Sequence, residues 1–380
     1  MHALVLSHAS WGIPDACRRA RLEPVFVGDP AEARTHLDHA EPGEIACVLV
    51  DASAPGAHRF MEWLRSHPRL LSLPTLFLVE EATTDAFVEA HAAGADDAVV
   101  RTDATMIQRR IASLKGFRAK RPDVTQGRAL VAISDSRERR LLGRYVRWAG
   151  FDPCFAETLE ELLARGSERH FDLVVASADL GDARSAVETL RSERPDLAFV
   201  WTTRDEDEAA LRESLAGLPR VAVTRRTAPI DHLLFHVNEL MAASGTDGRD
   251  SRRLLVDTLC AYRPSGIRPA AVGLTYNLSR GGLYVRTLAP LPVDVEVWLE
   301  LRPARALPWT HLRGVVRWRA LPGSRRGATP PGFGVELLPE LCPARDLGIY
   351  RDAYDARLAR ERRLDTPASS LPTSQPRDLR

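Results

Sequence analysis

The sequence predicts an α/β-plus-β protein: two doubly wound domains followed by a six-stranded β-barrel. Three observations carry this. Over the first 242 residues, apolar runs of four to six residues alternate with amphipathic stretches of ten to fifteen, the rhythm of βα units around a parallel sheet. Landmarks within that stretch recur 126 to 127 residues apart, which marks an internal duplication of one doubly wound domain. Beyond residue 254 the helical stretches stop, and short Val- and Leu-rich strands follow one another across Pro/Gly turns, as in a small barrel.

Taken in order, Ala3–Leu6, Ala46–Val50, Pro74–Val79 and the run ending at Val100 read as buried strands of a first domain over residues 1–115. Residues 116–127 mix Gly, Pro and charge without an apolar period and read as a linker. Ala129–Ile133, Leu173–Ala176, Leu197–Trp201 and Arg220–Val223 repeat the pattern in a second domain, 128–242. A second linker, merging into an Arg-containing arm, spans 243–253. Six strands are expected in 254–345: Leu255–Cys260, Ala270–Asn277, Leu283–Thr287, Val293–Leu301, Leu312–Arg319 and Phe333–Leu338. Trp298, Trp318 and Phe333 fall on the strand periods and are assigned to the barrel core, whereas Trp309 follows Pro308 in a loop. A helix over 346–360 closes the ordered part, and the Ser/Pro/Thr-rich residues 361–380 are expected to be disordered.

Composition narrows the function classes. The chain has 380 residues and a formal net charge of +1, so a nucleic-acid glove is not expected and any anion site must be local. Lys115 and Lys120 are the only lysines, and the other 50 of the 52 basic residues are arginine. That skew reads as a GC-rich bacterial genome and lowers the weight of any single arginine. The five cysteines form no C-x-x-C pair, so neither a metal site nor a disulfide framework is expected. With no apolar run of membrane length and no secretory leader pattern, membrane insertion is not expected and the compartment is expected to be the cytoplasm. Motifs for nucleotide hydrolysis, zinc hydrolysis and serine hydrolysis are absent, and the protein is expected not to be an enzyme.

Within the duplicated part, Leu49-Val50-Asp51-Ala52 and Gly94-Ala95-Asp96-Asp97 resemble response-regulator receiver domains, which have a flavodoxin-like fold. The resemblance makes Asp51 a candidate phosphoacceptor, and it also implies an acid pair, a hydroxyl and a lysine around it. Ser7-His8 stand where the acid pair belongs, Val79 or Glu80 where the hydroxyl belongs, and Arg101 where the lysine belongs. In the second copy Ser134-Asp135 keep one acid and Thr202 the hydroxyl, but Ser177 takes the phosphoacceptor position and Arg225 or Arg226 that of the lysine. Without acids to hold a cation against the developing charge, phosphoryl transfer loses its main electrostatic support. Both copies therefore read as degenerate receiver-like scaffolds for protein contacts, with a homodimer through them left open.

Two motifs flank the first barrel strands. Arg249-Asp250-Ser251-Arg252-Arg253 is R-x-x-x-R, and Asn277-Leu278-Ser279-Arg280-Gly281-Gly282 is N-x-S-x-x-G. Each alone is weak; in this order, 24 residues apart from Arg253 to Asn277, they resemble a PilZ domain. One strand out and one back would bring arm and loop together. The resemblance implies that cyclic di-GMP binds at Arg249, Arg253, Asn277, Ser279 and Gly282. The chemistry agrees: guanidinium forks match phosphate oxygens, and planar cations both stack on guanine and donate to its O6 and N7. Asn277 and Ser279 offer short polar contacts, and Gly281-Gly282 a tight turn open to a ligand.

The expectation is a bacterial cytoplasmic effector that reads cyclic di-GMP, regulates a process such as motility, and takes no other cofactor. Ligand would draw the Ala243–Arg253 arm onto the barrel. The alternative is a nucleotide-independent scaffold or polarity and motility regulator with a non-binding PilZ-like fold.

Overall fold

A computed structural model describes residues 1–67, 69–70, 72–114, 126–242, 251–266, 270–322 and 329–364. The first domain opens with β1 (His2–Leu6), α1 (Ile13–Arg19), β2 (Glu23–Val27), α2 (Pro30–His39) and β3 (Ile45–Asp51). It continues through α3 (Ala57–Ser66), β4 (Thr75–Val79), α4 (Thr84–Ala92), β5 (Asp97–Val100) and α5 (Ala104–Ala112). Its five parallel strands lie in the order β2-β1-β3-β4-β5. Strands β3 and β4 are buried on both faces apart from Ile45, which is why they read as continuous apolar runs and not as alternation. Asp29, Thr83 and Asp103 cap α2, α4 and α5 with side-chain oxygens on first-turn amides, fixing where each helix leaves its strand.

The second domain repeats the topology. Its elements are β6 (Gly127–Ala132), α6 (Ser136–Trp148), β7 (Phe151–Ala156), α7 (Leu159–Glu168), β8 (Leu173–Ser177) and α8 (Ala183–Glu193), then β9 (Ala198–Thr203), α9 (Glu208–Ser214), β10 (Val221–Arg225) and α10 (Ile230–Ala242). The order β10-β9-β8-β6-β7 is the same arrangement read from the other edge. Trp201, fully buried on β9, anchors this core; a side chain of that size contributes about 2 to 3 kcal/mol by leaving water.

The third domain comprises β11 (Leu254–Leu255), β12 (Leu259–Pro264), β13 (Ala271–Ser279), β14 (Gly282–Arg286), β15 (Glu296–Leu301), β16 (Thr310–Ala320), β17 (Gly332–Leu337) and α11 (Ala344–Leu364). Antiparallel pairing runs β13-β12-β15-β16-β17-β14, and β14 returns to β13, so six strands close and leave no edge among themselves. β11 is a two-residue addition on β13. The first barrel strand starts at Leu259, later than the sequence suggests. The chain between Leu255 and Leu259 is diverted by Thr258, whose amide bonds to Thr275 Oγ1 at 2.9 Å. Helix α11 also runs past residue 360, into what the sequence assigns to a disordered tail. Glu361, Arg362 and Leu364 are good helix formers, and Glu361 pairs with Arg357 one turn back at 3.5 Å. Residues 365–380 lie outside the described residues, as do residue 115 and 116–125 of the first linker.

Two compact units emerge. The first combines residues 1–123, 229–235 and 248–355; the second combines 124–228, 236–247 and 356–380. Within the first, the β5/α5 side of the opening domain packs on the barrel through a buried ion pair. Arg110 Nε lies 2.6 Å from Asp97 Oδ2, with the side chains 2% and 0% exposed. Asp97 also accepts from Thr287 Oγ1 at 2.9 Å and from the Leu288 amide at 2.7 Å, while Arg110 donates to the Val272 carbonyl at 2.7 Å. Burial alone would lower the Arg110 pKa, but Asp97 beside it raises it, so the guanidinium stays charged.

Candidate functional site

The described end of the arm, Ser251–Arg253, meets the N-x-S-x-x-G hairpin on the barrel. β11 lies antiparallel to β13, with Leu255 opposite Asn277 and Leu254 opposite Leu278. The two strands therefore bring the end of the arm beside the N-x-S-x-x-G hairpin. Ser251 Oγ accepts from the Arg280 amide at 3.1 Å, and Tyr354 on α11 donates to the Arg252 carbonyl at 2.7 Å. The Ser251–Arg253 end of the arm thus rests on the barrel; Arg249 and the remainder of 243–250 lie outside the described residues.

A cross-strand row continues from there. Asn277 faces Tyr284 on β14, Tyr284 faces Gly334 on β17, and Gly334 faces Trp318 on β16. Directly opposed residues project from the same face of a sheet. With no side chain at Gly334, the Trp318 indole lies over β17; a Cβ there would come within 2.2 Å of its Nε1. Trp318 stacks on Tyr284 at 4.7 Å between centroids and 22° between planes, and the Arg253 guanidinium stands 6.0 Å from the indole centroid. Tyr276, bulged beside Asn277, and Phe235 on α10 extend this aromatic cluster.

Beneath it, Arg286 is 3% exposed and pairs with Asp231 at 2.5 Å. Burial would lower its pKa, but Asp231 raises it. Tyr276 donates to the Asp231 carbonyl at 2.7 Å, and burial pushes both the Tyr276 and Tyr284 phenols well above their ordinary range. Both remain neutral donors.

The hairpin residues have distinct roles. Asn277, on β13, is 7% exposed. Ser279 donates its hydroxyl proton to the Gly282 carbonyl at 3.1 Å, leaving its lone pairs to accept from a ligand N–H. The Tyr350 hydroxyl, 2.7 Å from the Gly282 carbonyl and 2.9 Å from that of Ser279, ties the hairpin to α11. A Cβ on Gly282 would meet the Val335 carbonyl at 2.2 Å. Strand packing is therefore what demands glycine there, and Gly281, with open space around it, faces no such limit. The architecture is two receiver-like domains and a PilZ-like barrel.

No protein-family model and no curated protein matches the chain. Among solved structures it is similar to the Bacillus subtilis inhibitor of motility MotI/DgrA, at 20% identity and a TM-score of 0.25, covering 30% of this chain and 53% of that one. The chain thus spans about half the length of that protein. It is also similar to the PilZ domain of Escherichia coli YcgR with c-di-GMP, at 16% identity and a TM-score of 0.23, covering 31% and 98%. A putative two-component response regulator/GGDEF protein matches over 64% of this chain and 98% of its own, at 19% identity and a TM-score of 0.31. These likenesses are remote, and the fold stands on its strand orders and barrel closure.

The two receiver-like pockets are filled by their own side chains. In the first, Asp51 is 4% exposed. Its Oδ1 accepts from the Ser53 amide at 3.0 Å and the Ser53 hydroxyl at 2.7 Å, and its Oδ2 from Ser7 at 3.1 Å. Burial raises the pKa, but the bonds from Ser53 and Ser7 outweigh it and hold the carboxyl below its ordinary value. Arg101 reaches to 3.8 Å from Asp51 and 3.0 Å from Glu80, with its guanidinium 4.6 Å from the Trp11 ring centroid. In the second, Arg226 is the residue that enters: it donates to Ser177 Oγ and lies 2.6 Å from Asp179. Asp135, the retained acid, caps α6 on the Glu138 amide at 2.7 Å. Among the described residues no cluster of three His, Cys, Asp or Glu side chains could hold a metal ion.

Three aromatic assignments from sequence divide. Phe333 is fully buried in the barrel core against Tyr262. Trp298 is only half-buried and lies between Arg263 and Arg313 at 5.1 and 4.1 Å, because its strand turns it outward while Val297 and Leu299 point in. Trp318 is likewise on the outer face, beside the motif. The sequence clue to Trp318 and Tyr284 is the pair of glycines that flank Phe333, Gly332 and Gly334, since a glycine within a strand marks a place where something must lie close to the backbone.

Proposed function

We propose that the barrel is a receptor for cyclic di-GMP and that the two receiver-like domains serve as protein-contact scaffolds. The observation that carries this reading is the meeting of the Ser251–Arg253 end of the arm with the N-x-S-x-x-G hairpin, joined by the Leu255–Asn277 register and the Ser251–Arg280 hydrogen bond. Arg249 and Arg253 take phosphate oxygens and guanine edges, Asn277 accepts from and donates to the bases, Ser279 accepts from them, and Gly282 keeps the hairpin against β17. The pre-paired pockets at Asp51 and Ser177 support scaffolds in preference to a phosphorylation switch. Among the described residues no helix is long and apolar enough to cross a membrane, and we place the protein in the cytoplasm.

Isothermal titration of the full chain with cyclic di-GMP tests the reading. Binding is expected, and it should be lost in the Arg249→Ala/Arg253→Ala double variant. Absence of binding by the unaltered protein would overturn it in favour of the nucleotide-independent scaffold.

A further inference from the structure

We propose that Ser251 is a positioning residue of the cyclic dinucleotide site: its hydroxyl locks the register of the arm on β13, so that Arg253, and not a leucine, stands beside the hairpin. The inference rests on the proposed function and concerns a position that R-x-x-x-R leaves unspecified. β11 is only two residues long, with Leu254 opposite Leu278 and Leu255 opposite Asn277. Continued by one residue, that register sets Arg253 opposite Ser279, and directly opposed residues project from one face of a sheet. A slip of one residue would turn every side chain of the arm to the other face.

The sequence of the arm leaves one such slip open. Apolar patterning ordinarily fixes register, because a slip exposes what was buried. Here Leu254 is 1% exposed and its neighbour Leu255 is partly buried. If Leu255 moved into the place of Leu254, one leucine would replace another opposite Leu278, and no apolar burial would be lost there. Leu254 would then stand opposite Ser279, and Arg253 would pass to the opposite face. The slip in the other sense is closed, since it would carry Arg253 into the buried place of Leu254. A contact outside the apolar pattern must therefore block the open slip. The Ser251 hydroxyl supplies it by accepting from the Arg280 amide at 3.1 Å, a backbone group of the hairpin that β13 and β14 hold in place. The slip would carry Ser251 about 3.3 Å along the strand from that amide. The Arg252 carbonyl, bonded by the Tyr354 hydroxyl at 2.7 Å, is a second anchor, on α11. Both bonds join protein groups to protein groups and need no nucleotide to form.

The test combines titration of the full chain with cyclic di-GMP and backbone amide exchange of residues 251–256 measured without ligand. It compares the unaltered protein with Ser251→Ala and Ser251→Thr. One net hydrogen bond corresponds to about 2- to 10-fold in an equilibrium. Ser251→Ala should weaken binding by that factor and speed exchange of the segment by a similar one. Ser251→Thr keeps the hydroxyl and should stay within about twofold of the unaltered protein in both. If Ser251→Ala weakens binding but leaves exchange unchanged, the hydroxyl meets the ligand itself and the register lock is wrong. If Ser251→Ala binds as the unaltered protein does, the lock is wrong while the receptor reading stands. If the unaltered protein does not bind, the receptor reading fails and the role of Ser251 in it falls too.

Discussion

The two receiver-like copies share strand order and helix placement, yet they treat charge in opposite ways. The first copy buries an ion pair completely, Asp97 with Arg110, against the barrel. The second keeps its principal pair, Arg226 with Asp179, about 26% and 35% exposed at the mouth of the old pocket. Their phosphoacceptor positions diverge as well, with Asp51 hydrogen-bonded by two serines and Ser177 held by an arginine. What persists in both is the apolar strand core, which the fold requires; what drifts is the polar chemistry, which the fold does not. Two domains of one strand order can thus hold quite different polar residues at corresponding positions.

The sharpest way to break the comparison is to remove the cation from each pair. Arg110→Ala leaves the Asp97 carboxyl enclosed without its cation, where burial already raises its pKa, and breaking such a pair costs about 3 to 5 kcal/mol. Arg226→Ala exposes Asp179 to water and should cost about 1 kcal/mol or less. Urea unfolding of the full chain would measure both. Equal effects would mean that the interior pair is not sealed from solvent. Replacing both partners, Asp97→Leu with Arg110→Met, should recover much of the loss, since packed apolar groups often match a buried pair.

A second difference lies in proton linkage. His91 on α4 of the first copy is 3% exposed. Its Nδ1 is bonded to the Ala95 carbonyl at 3.0 Å, and its Nε2 has no hydrogen-bond partner among the described residues. Burial, and then the charge of Arg286, hold its pKa well below 6.5. The folded state therefore keeps His91 neutral while the unfolded chain takes up a proton, so its contribution to stability is complete above the unfolded pKa and falls as pH drops below about 6.5. Between pH 7.5 and 5.5 the expected loss is about 1.4 kcal/mol. The difference between the unaltered protein and His91→Gln at the two pH values isolates it from the other histidines. An identical pH dependence in both would remove His91 from the account.

Much of the architecture was legible in the sequence because it is written in apolar periodicity. Continuous runs such as Ala46–Val50 demand burial on both faces, and the alternation along Leu312–Val316 demands one buried face. The approach of the Ser251–Arg253 end of the arm to the hairpin follows from strands that return the chain to its start. Other features were hidden for physical reasons. Asp97 and Arg110 are ordinary charged residues until the barrel covers them, and no local pattern announces a partner some 190 positions away such as Leu288. Trp318 sits on a strand period, which tells that it alternates but not whether its face is inward; the bulge between Val316 and Trp318 further loosens that parity. The helix ends at Leu364 and not at residue 360 because the turn-rich composition begins only after it.

The smallest expected effect is a null one. Incubation of the full chain with a small phosphodonor and Mg²⁺ should leave its mass unchanged, in the unaltered protein and in Asp51→Asn alike. Receiver chemistry needs carboxylates to hold a divalent cation beside the nucleophile, and Ser7 and His8 occupy that place here. Ser7 and Ser53 already donate to both Asp51 oxygens, so attack on phosphorus would first have to break bonds that stabilise the carboxylate. Uptake of one phosphoryl group by the unaltered protein and none by Asp51→Asn would reverse this reading. The first copy would then be a working switch, joined to the barrel through its buried Asp97–Arg110 contact, and the likeness between the two copies would end at their fold.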